Sequence, residues 1–159
     1  MKGGIYMKIL DEKGLSGIVK RLLDLIFISG IAIVLALPVL LRWYMDRLKG
    51  YISEKYGFML PFLYITGFLA LYFVFELRRI FRTLNRKDPF RTDNVKSFKS
   101  MSICCFAISF CYGVKIFAFN SFLTIILFMV FIIGGLFLLI LAEVFRQAAI
   151  VKEENDLTI

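Results

Sequence analysis

The chain has 159 residues, 60% of them apolar, and carries 20 Lys and Arg against 12 Asp and Glu, for a net charge of +8 with no histidine. A mean hydropathy of +0.80 exceeds what a soluble domain carries, in which about half the residues are apolar, so the composition is that of a membrane protein. The basic residues flank apolar blocks instead of gathering on a soluble face, which points to insertion topology and anionic lipid headgroups and away from direct nucleic-acid binding.

Residues 1–21 hold Lys2, Lys8, Lys13, Lys20 and Arg21 with four interrupting glycines, a start expected to be irregular or to lie along the membrane surface. Leu15, Ile18, Val19 and Leu22 keep helical spacing, so the first helix begins inside this segment. The first apolar block lacks a small-x-small cleavage site, and no cleavable signal peptide is expected. A first span is predicted over residues 22–41, matching the ~20 residues that a hydrocarbon core requires. Asp24 lies one turn inside one end of it, Pro38 near the other, and Arg42, Trp43 and Tyr44 close it as an interfacial anchor. In residues 42–56, Tyr44, Leu48, Tyr51 and Ile52 fall at helical spacing, the pattern of a short amphipathic helix on the outer surface. A ligand-sensing loop is the alternative.

The second span is predicted over residues 57–77, with Pro61 in its first turns, and its helix runs on beyond the membrane. Leu77, Ile80, Phe81 and Leu84 continue an apolar stripe while Arg78, Arg79, Arg82 and Arg86 cover the other face. Pro89 then breaks the pattern, because it lacks a backbone donor and biases Asp88 away from helical geometry. A new helix is expected from Thr92 or Asp93, either of which is suited to cap it. The polar loop of residues 78–100 thus reads as two basic helical arms joined by a tight turn at Lys87, Asp88, Pro89 and Phe90, with Phe90 and Arg91 at its tip.

The third span, residues 101–119, carries Cys105, Ser109 and Gly113 at every fourth position, a small-residue stripe that lets another helix approach. Cys104, Cys105 and Cys111 all lie inside this block, so neither a disulfide framework nor a thiol redox pair is expected. Lys115 falls on nearly the opposite face, close enough to the end to snorkel, although an intramembrane cation also invites a functional role. The short turn at Asn120 and Ser121 makes spans three and four a tight hairpin. The fourth span is predicted over residues 122–145, with Gly134 and Gly135 where helices can cross closely. A polar tail, residues 146–159, follows. Lys and Arg number five before the first span, eight in the middle loop and two in the tail, against four on the opposite face. This asymmetry sets both termini and the middle loop in the cytoplasm, and the expected fold is a single all-α domain of four transmembrane helices with a cytoplasmic helical hairpin extending spans two and three.

Asp24, Glu76 and Glu143 come from three spans but reach the same boundary, with Arg21, Arg79 and Arg146 at similar depth. A ring of ion pairs is the economical reading of this inner ionic cluster, since unpaired charge there is costly. A proton or cation pathway is the sharper one, yet it would want an acid near the midplane, and no span holds one. Phosphate-binding glycine motifs, nucleophile elbows and metal-ligand spacings are missing. The chain therefore reads as a non-enzyme without a cofactor.

Several short motifs resemble one bacterial membrane family, known as domain of unknown function 2975. They are Leu77 to Leu84 (LRRIFRTL), then Pro89 and Phe90, then Asn94, then Ala142 to Arg146 (AEVFR), and finally Glu153 to Ile159 (EENDLTI). The four-span layout is similar too. The resemblance implies a membrane protein encoded beside a very small helix-turn-helix regulator of the Cro/repressor type, and hence a regulatory pair in which the membrane member holds its regulator; it implies no biochemical activity. The expected contact surface for that regulator or for anionic lipid is Arg78, Arg79, Arg82, Arg86, Lys87, Pro89, Phe90, Arg91 and Asn94 with Glu153, Glu154, Asn155, Asp156 and Leu157. A homo-oligomer is compatible with the small-residue stripe. The alternative is a small transporter or peptide-immunity membrane protein, with Lys115 and the inner acids lining a path.

Overall fold

In hydrocarbon every backbone N–H and C=O must find a partner within the protein, and a helix satisfies this within one segment. The computed structural model describes residues 15–47, 56–84, 92–118 and 121–157, and nearly all of these are helical. They form α1 (Leu15–Arg47, 33 residues), α2 (Tyr56–Leu84, 29 residues), α3 (Thr92–Ala118, 27 residues) and α4 (Phe122–Leu157, 36 residues). Each is long and apolar enough to cross a bilayer. Even α3 is about 40 Å long, against a hydrocarbon core of roughly 30 Å.

The helices overrun the predicted spans. α1 passes through Pro38 without a break and is described as far as Arg47, while the rest of the predicted surface helix, 48–55, lies outside the described residues. α2 and α3 carry the predicted arms as continuations of the spans themselves, to Leu84 and from Thr92. The tail continues α4 to Leu157, so α4 is about 54 Å long and exceeds the hydrocarbon by roughly 24 Å. The Ser121 carbonyl begins that helix, accepting from the backbone N–H groups of Thr124 at 2.9 Å and Ile125 at 3.3 Å.

Contacts between chain neighbours run antiparallel. Between α1 and α2, Phe27 meets Phe75 with ring centroids 6.4 Å apart, and Gly30 and Gly67 admit Leu71 and Val34. Along α2 and α3, Phe62 meets Tyr112 at one end and Thr83 meets Asn94 at the other. Along α3 and α4, Phe98 packs on Phe145, Ser102 on Gly135 and Tyr112 on Phe131. Close backbone approach is most extensive between α3 and α4, followed by α1 with α2 and α2 with α3. Among the described residues α2, α3 and α4 share one buried core, and the extensive contacts of α1 are with α2.

Large apolar side chains line the outside, Phe117 being 95% exposed, as expected where lipid is the solvent. Packing is densest at the end shared by the α2–α3 connection. There Ile80, Val95, Phe98, Met101 and Ala142 form the buried core, bordered by Phe73, Leu77, Leu138, Leu141 and Phe145. Met101 and Ala142 are 1% and 0% exposed, so three helices close completely at this level.

The two glycines of α4 differ in what they meet. A Cβ at Gly135 would lie 3.0 to 3.2 Å from three atoms of the Phe106 ring, whereas one at Gly134 would have nothing within 4 Å. Gly135→Leu is expected to push α3 from α4 and destabilise the protein by about 1–3 kcal/mol, while Gly134→Leu stays within about 0.5 kcal/mol or gains from helix propensity. Thermal unfolding of both variants in detergent, followed by circular dichroism, makes the comparison.

Candidate functional site

The end that carries the α2–α3 connection also carries the start of α1 and the far end of α4. It is built from the outside of the bundle inward by three separate sets of polar groups. On α1 and α2, Asp24 and Arg78 form an ion pair, both partly exposed. The Arg78 guanidinium also lies 4.7 Å from the centroid of Phe27, so its planar face and its donors are both used. Lys20 and Arg82 line the same narrow cleft. On α4, Arg146 grips Glu143 with Nε at 2.9 Å and Nη2 at 2.6 Å, and Gln147 Nε2 donates to the same carboxylate at 3.2 Å. Such an exposed pair within one helix contributes little to stability.

The third set lies between α2 and α3. Tyr72 Oη donates to Glu76 Oε1 at 3.1 Å, which commits its only proton. Ser100 Oγ, 2.7 Å away, must then be the donor to Tyr72. Further along, the Thr83 hydroxyl lies 2.5 Å from Asn94 Oδ1 and 2.7 Å from the Ile80 carbonyl of its own helix, so its one proton is shared between two acceptors. Asn94 and Ser97 are each 1% exposed and Glu76 is 5% exposed. Glu76 Oε2 and Ser97 Oγ are buried without a hydrogen-bond partner. A carboxylate buried in this way is costly, and Tyr72 is the contact that holds it.

The predicted ring of ion pairs is therefore three separate arrangements. Asp24 pairs with Arg78, while Arg21 and Arg79 are exposed. Glu143 pairs with Arg146 on its own helix, and Glu76 makes its contact with a tyrosine. One member of the predicted contact surface needs correction: Asn94 is 1% exposed and forms a buried tie to Thr83, because helical periodicity turns it beneath the arms. Arg78 stays partly exposed while it pairs with Asp24 and lies over Phe27. Arg79 and Arg82 on α2, and Glu153, Glu154 and Asn155 on α4, do stand on the exterior. Arg86, Lys87, Pro89, Phe90 and Arg91 lie outside the described residues, as do the side chains of Asp156 and Leu157.

The small-residue stripe of α3 has distinct neighbours. Ser109 Oγ donates across to the Phe128 carbonyl at 3.1 Å, and a Cβ at Gly113 would lie 3.3 Å from the same Phe128 ring. Cys105 is buried, and its neighbour Cys104 has its sulfur 3.5 Å from the Leu69 carbonyl of α2. Ser102 Oγ donates to the Gly135 carbonyl at 2.8 Å. Ser102, Tyr72 and Ser100 were not singled out from sequence. The available signal was a run of small hydroxyl residues on α3 facing a tyrosine one turn before an acid on α2.

Four long apolar helices with outward-facing aliphatic and aromatic side chains are those of a multi-pass membrane protein. A family model described as "Protein of unknown function (DUF2975)" matches residues 40–159, which takes in the end of α1 and all of α2, α3 and α4. The chain belongs to this family. Comparisons with curated proteins and with solved structures give no match.

Replacing Tyr72 by Phe takes the partner from Glu76 Oε1, leaving it as bare as Oε2, and from the Ser100 hydroxyl. The expected loss is about 1–3 kcal/mol, and adding Glu76→Met to Tyr72→Phe should restore most of it, since an orphaned polar group costs more than an apolar replacement of similar shape. A double-mutant cycle on chemical unfolding in detergent tests the coupling; additive losses would disprove it.

Proposed function

We propose that the protein is a non-enzymatic accessory or regulatory component of the bacterial cytoplasmic membrane, which holds a small cytosolic regulator against its inner face. The observation that carries this reading is the construction of the end bearing the α2–α3 connection. The most completely buried core of the protein, around Met101 and Ala142, lies directly beneath the basic arms. The Thr83–Asn94 hydrogen bond fastens the arms to one another. Arg79 and Arg82 are thereby displayed on a rigid support, and α4 projects Glu153, Glu154 and Asn155 beyond it. A basic shelf beside an acidic helical extension is a two-signed surface suited to orienting a protein partner.

The excess of Lys and Arg in the segments at this end supports a cytoplasmic orientation. Arg79 and Arg82 also lie where anionic headgroups are within reach, so lipid shares the shelf with the regulator. The kind of regulator, a small helix-turn-helix protein, rests on the family resemblance. Transport by way of Lys115 and the inner acids fits the geometry less well. Lys115 sits over Phe62, roughly 21 Å along α2 from Glu76, and Asp24 and Glu143 are already engaged in ion pairs.

The test is affinity purification of the detergent-solubilised protein from its own cells, intact, lacking residues 153–159, or carrying Arg82→Glu with Arg86→Glu and Arg91→Glu. The expected result is a small DNA-binding protein recovered with the intact chain and lost from both variants. Recovery that is the same from all three, or no protein recovered with the intact chain, would overturn the docking surface.

A further inference from the structure

At the opposite end of the α2–α3 pair, the two helices diverge around an apolar groove of about 190 Å³. Phe58, Phe62 and Ile65 line it from α2 at helical spacing, and Phe110, Cys111 and Val114 from α3. Ile65 and Phe110 are 53% and 72% exposed, so the groove opens sideways, toward the bilayer. Its lining offers water no hydrogen-bond partners, and hydrocarbon is the filling such a space takes.

Lys115 distinguishes this groove from an ordinary gap between helices. It lies in the last turn of α3, next to Val114 and one turn beyond Cys111. Its ammonium is 5.1 Å from the centroid of Phe62, a groove residue, and 5.9 Å from that of Tyr112. Tyr112 is itself fixed, edge-on to Phe62 at 5.3 Å and stacked on Phe131 of α4 at 5.9 Å. The cation is thus seated on an aromatic platform built from three helices. Among the described residues it has no carboxylate in ion-pair contact, and the aromatic faces leave its N–H donors unmet on the side away from the rings.

A fixed cation at the edge of an apolar groove open to lipid complements one chemistry, an anion attached to a hydrocarbon chain. We propose that the groove seats an acyl chain of one anionic phospholipid, whose phosphate is held by Lys115. The site lies away from the regulator surface and does not depend on it. Lys115 then has a particular lipid as its counter-ion, beyond general snorkelling to the headgroup layer.

The full-length protein in neutral detergent, supplied with phosphatidylglycerol or with phosphatidylcholine of the same acyl chains, is examined by native mass spectrometry. One phosphatidylglycerol should be retained per chain, roughly fivefold over phosphatidylcholine, the preference expected of one lysine at a lipid surface. Lys115→Gln should bring phosphatidylglycerol down to the phosphatidylcholine level, and Lys115→Arg should keep it. Cys111→Phe, which fills the groove, should lower retention of both lipids while circular dichroism and elution volume stay unchanged. Equal retention of the two lipids by the native chain, or undiminished phosphatidylglycerol on Lys115→Gln or on Cys111→Phe, would show annular lipid only and overturn the proposal.

Discussion

Hydroxyl groups of α3 that reach across to main-chain carbonyls of α4 set the spacing on which the remaining packing depends. Ser102 bonds to Gly135 and Ser109 to Phe128, and neither bond forms unless the two backbones lie close together. In lipid, apolar side chains gain nothing from touching one another in place of acyl chains, so close packing and hydrogen bonds must hold the helices. The most apolar window of α3 is 33% buried, against 6% to 11% for the other three helices. The helix richest in small polar residues is therefore the one at the centre. α2 and α4 both lean on it, and α1 is attached at one remove.

That arrangement also explains why the firmest part of the protein lies at one end. Ile80 of α2 and Val95, Phe98 and Met101 of α3 close on Ala142 of α4 there, so that end gathers contacts from all three helices that α3 brings together. The basic arms are thus the ends of α2 and α3, tied by a core that α4 completes, and the charges on their outer face are held in place by it. A partner that bound there would meet a preorganised surface and lose little in ordering it.

Helix number, type and approximate position were legible in the sequence, because some twenty consecutive apolar residues admit few alternatives. The small-residue stripe of α3 was visible as a spacing, whereas Gly134, expected beside Gly135 at a close crossing, has nothing within 4 Å of where its Cβ would lie. What the sequence left hidden is rotational. Asn94 is polar and close to charged neighbours, which made it look external, but the azimuth of α3 turns it beneath the arms onto Thr83. Glu76 looked like a member of an ionic ring for the same reason, whereas its position on α2 turns it to Tyr72 and α3. The tail read as a separate segment because hydropathy falls sharply after Phe145, yet Gln147, Ala148 and Ala149 are good helix formers, and α4 continues through them. Hydropathy marks where the membrane ends, and the helix ends elsewhere.

The succession of these contacts along the chain has a consequence for how it is assembled. Each extensive contact joins elements adjacent in sequence, so each pairing closes only the short connection between them and carries a small loop-closure entropy. No helix has to wait for a distant partner before it docks. As successive segments leave the insertion machinery, each can settle on its predecessor, with α3 finding both of its neighbours by the time α4 arrives. The fold can therefore be built in the order of synthesis, α1 pairing with α2 before α3 and α4 complete the core at the end bearing the α2–α3 connection.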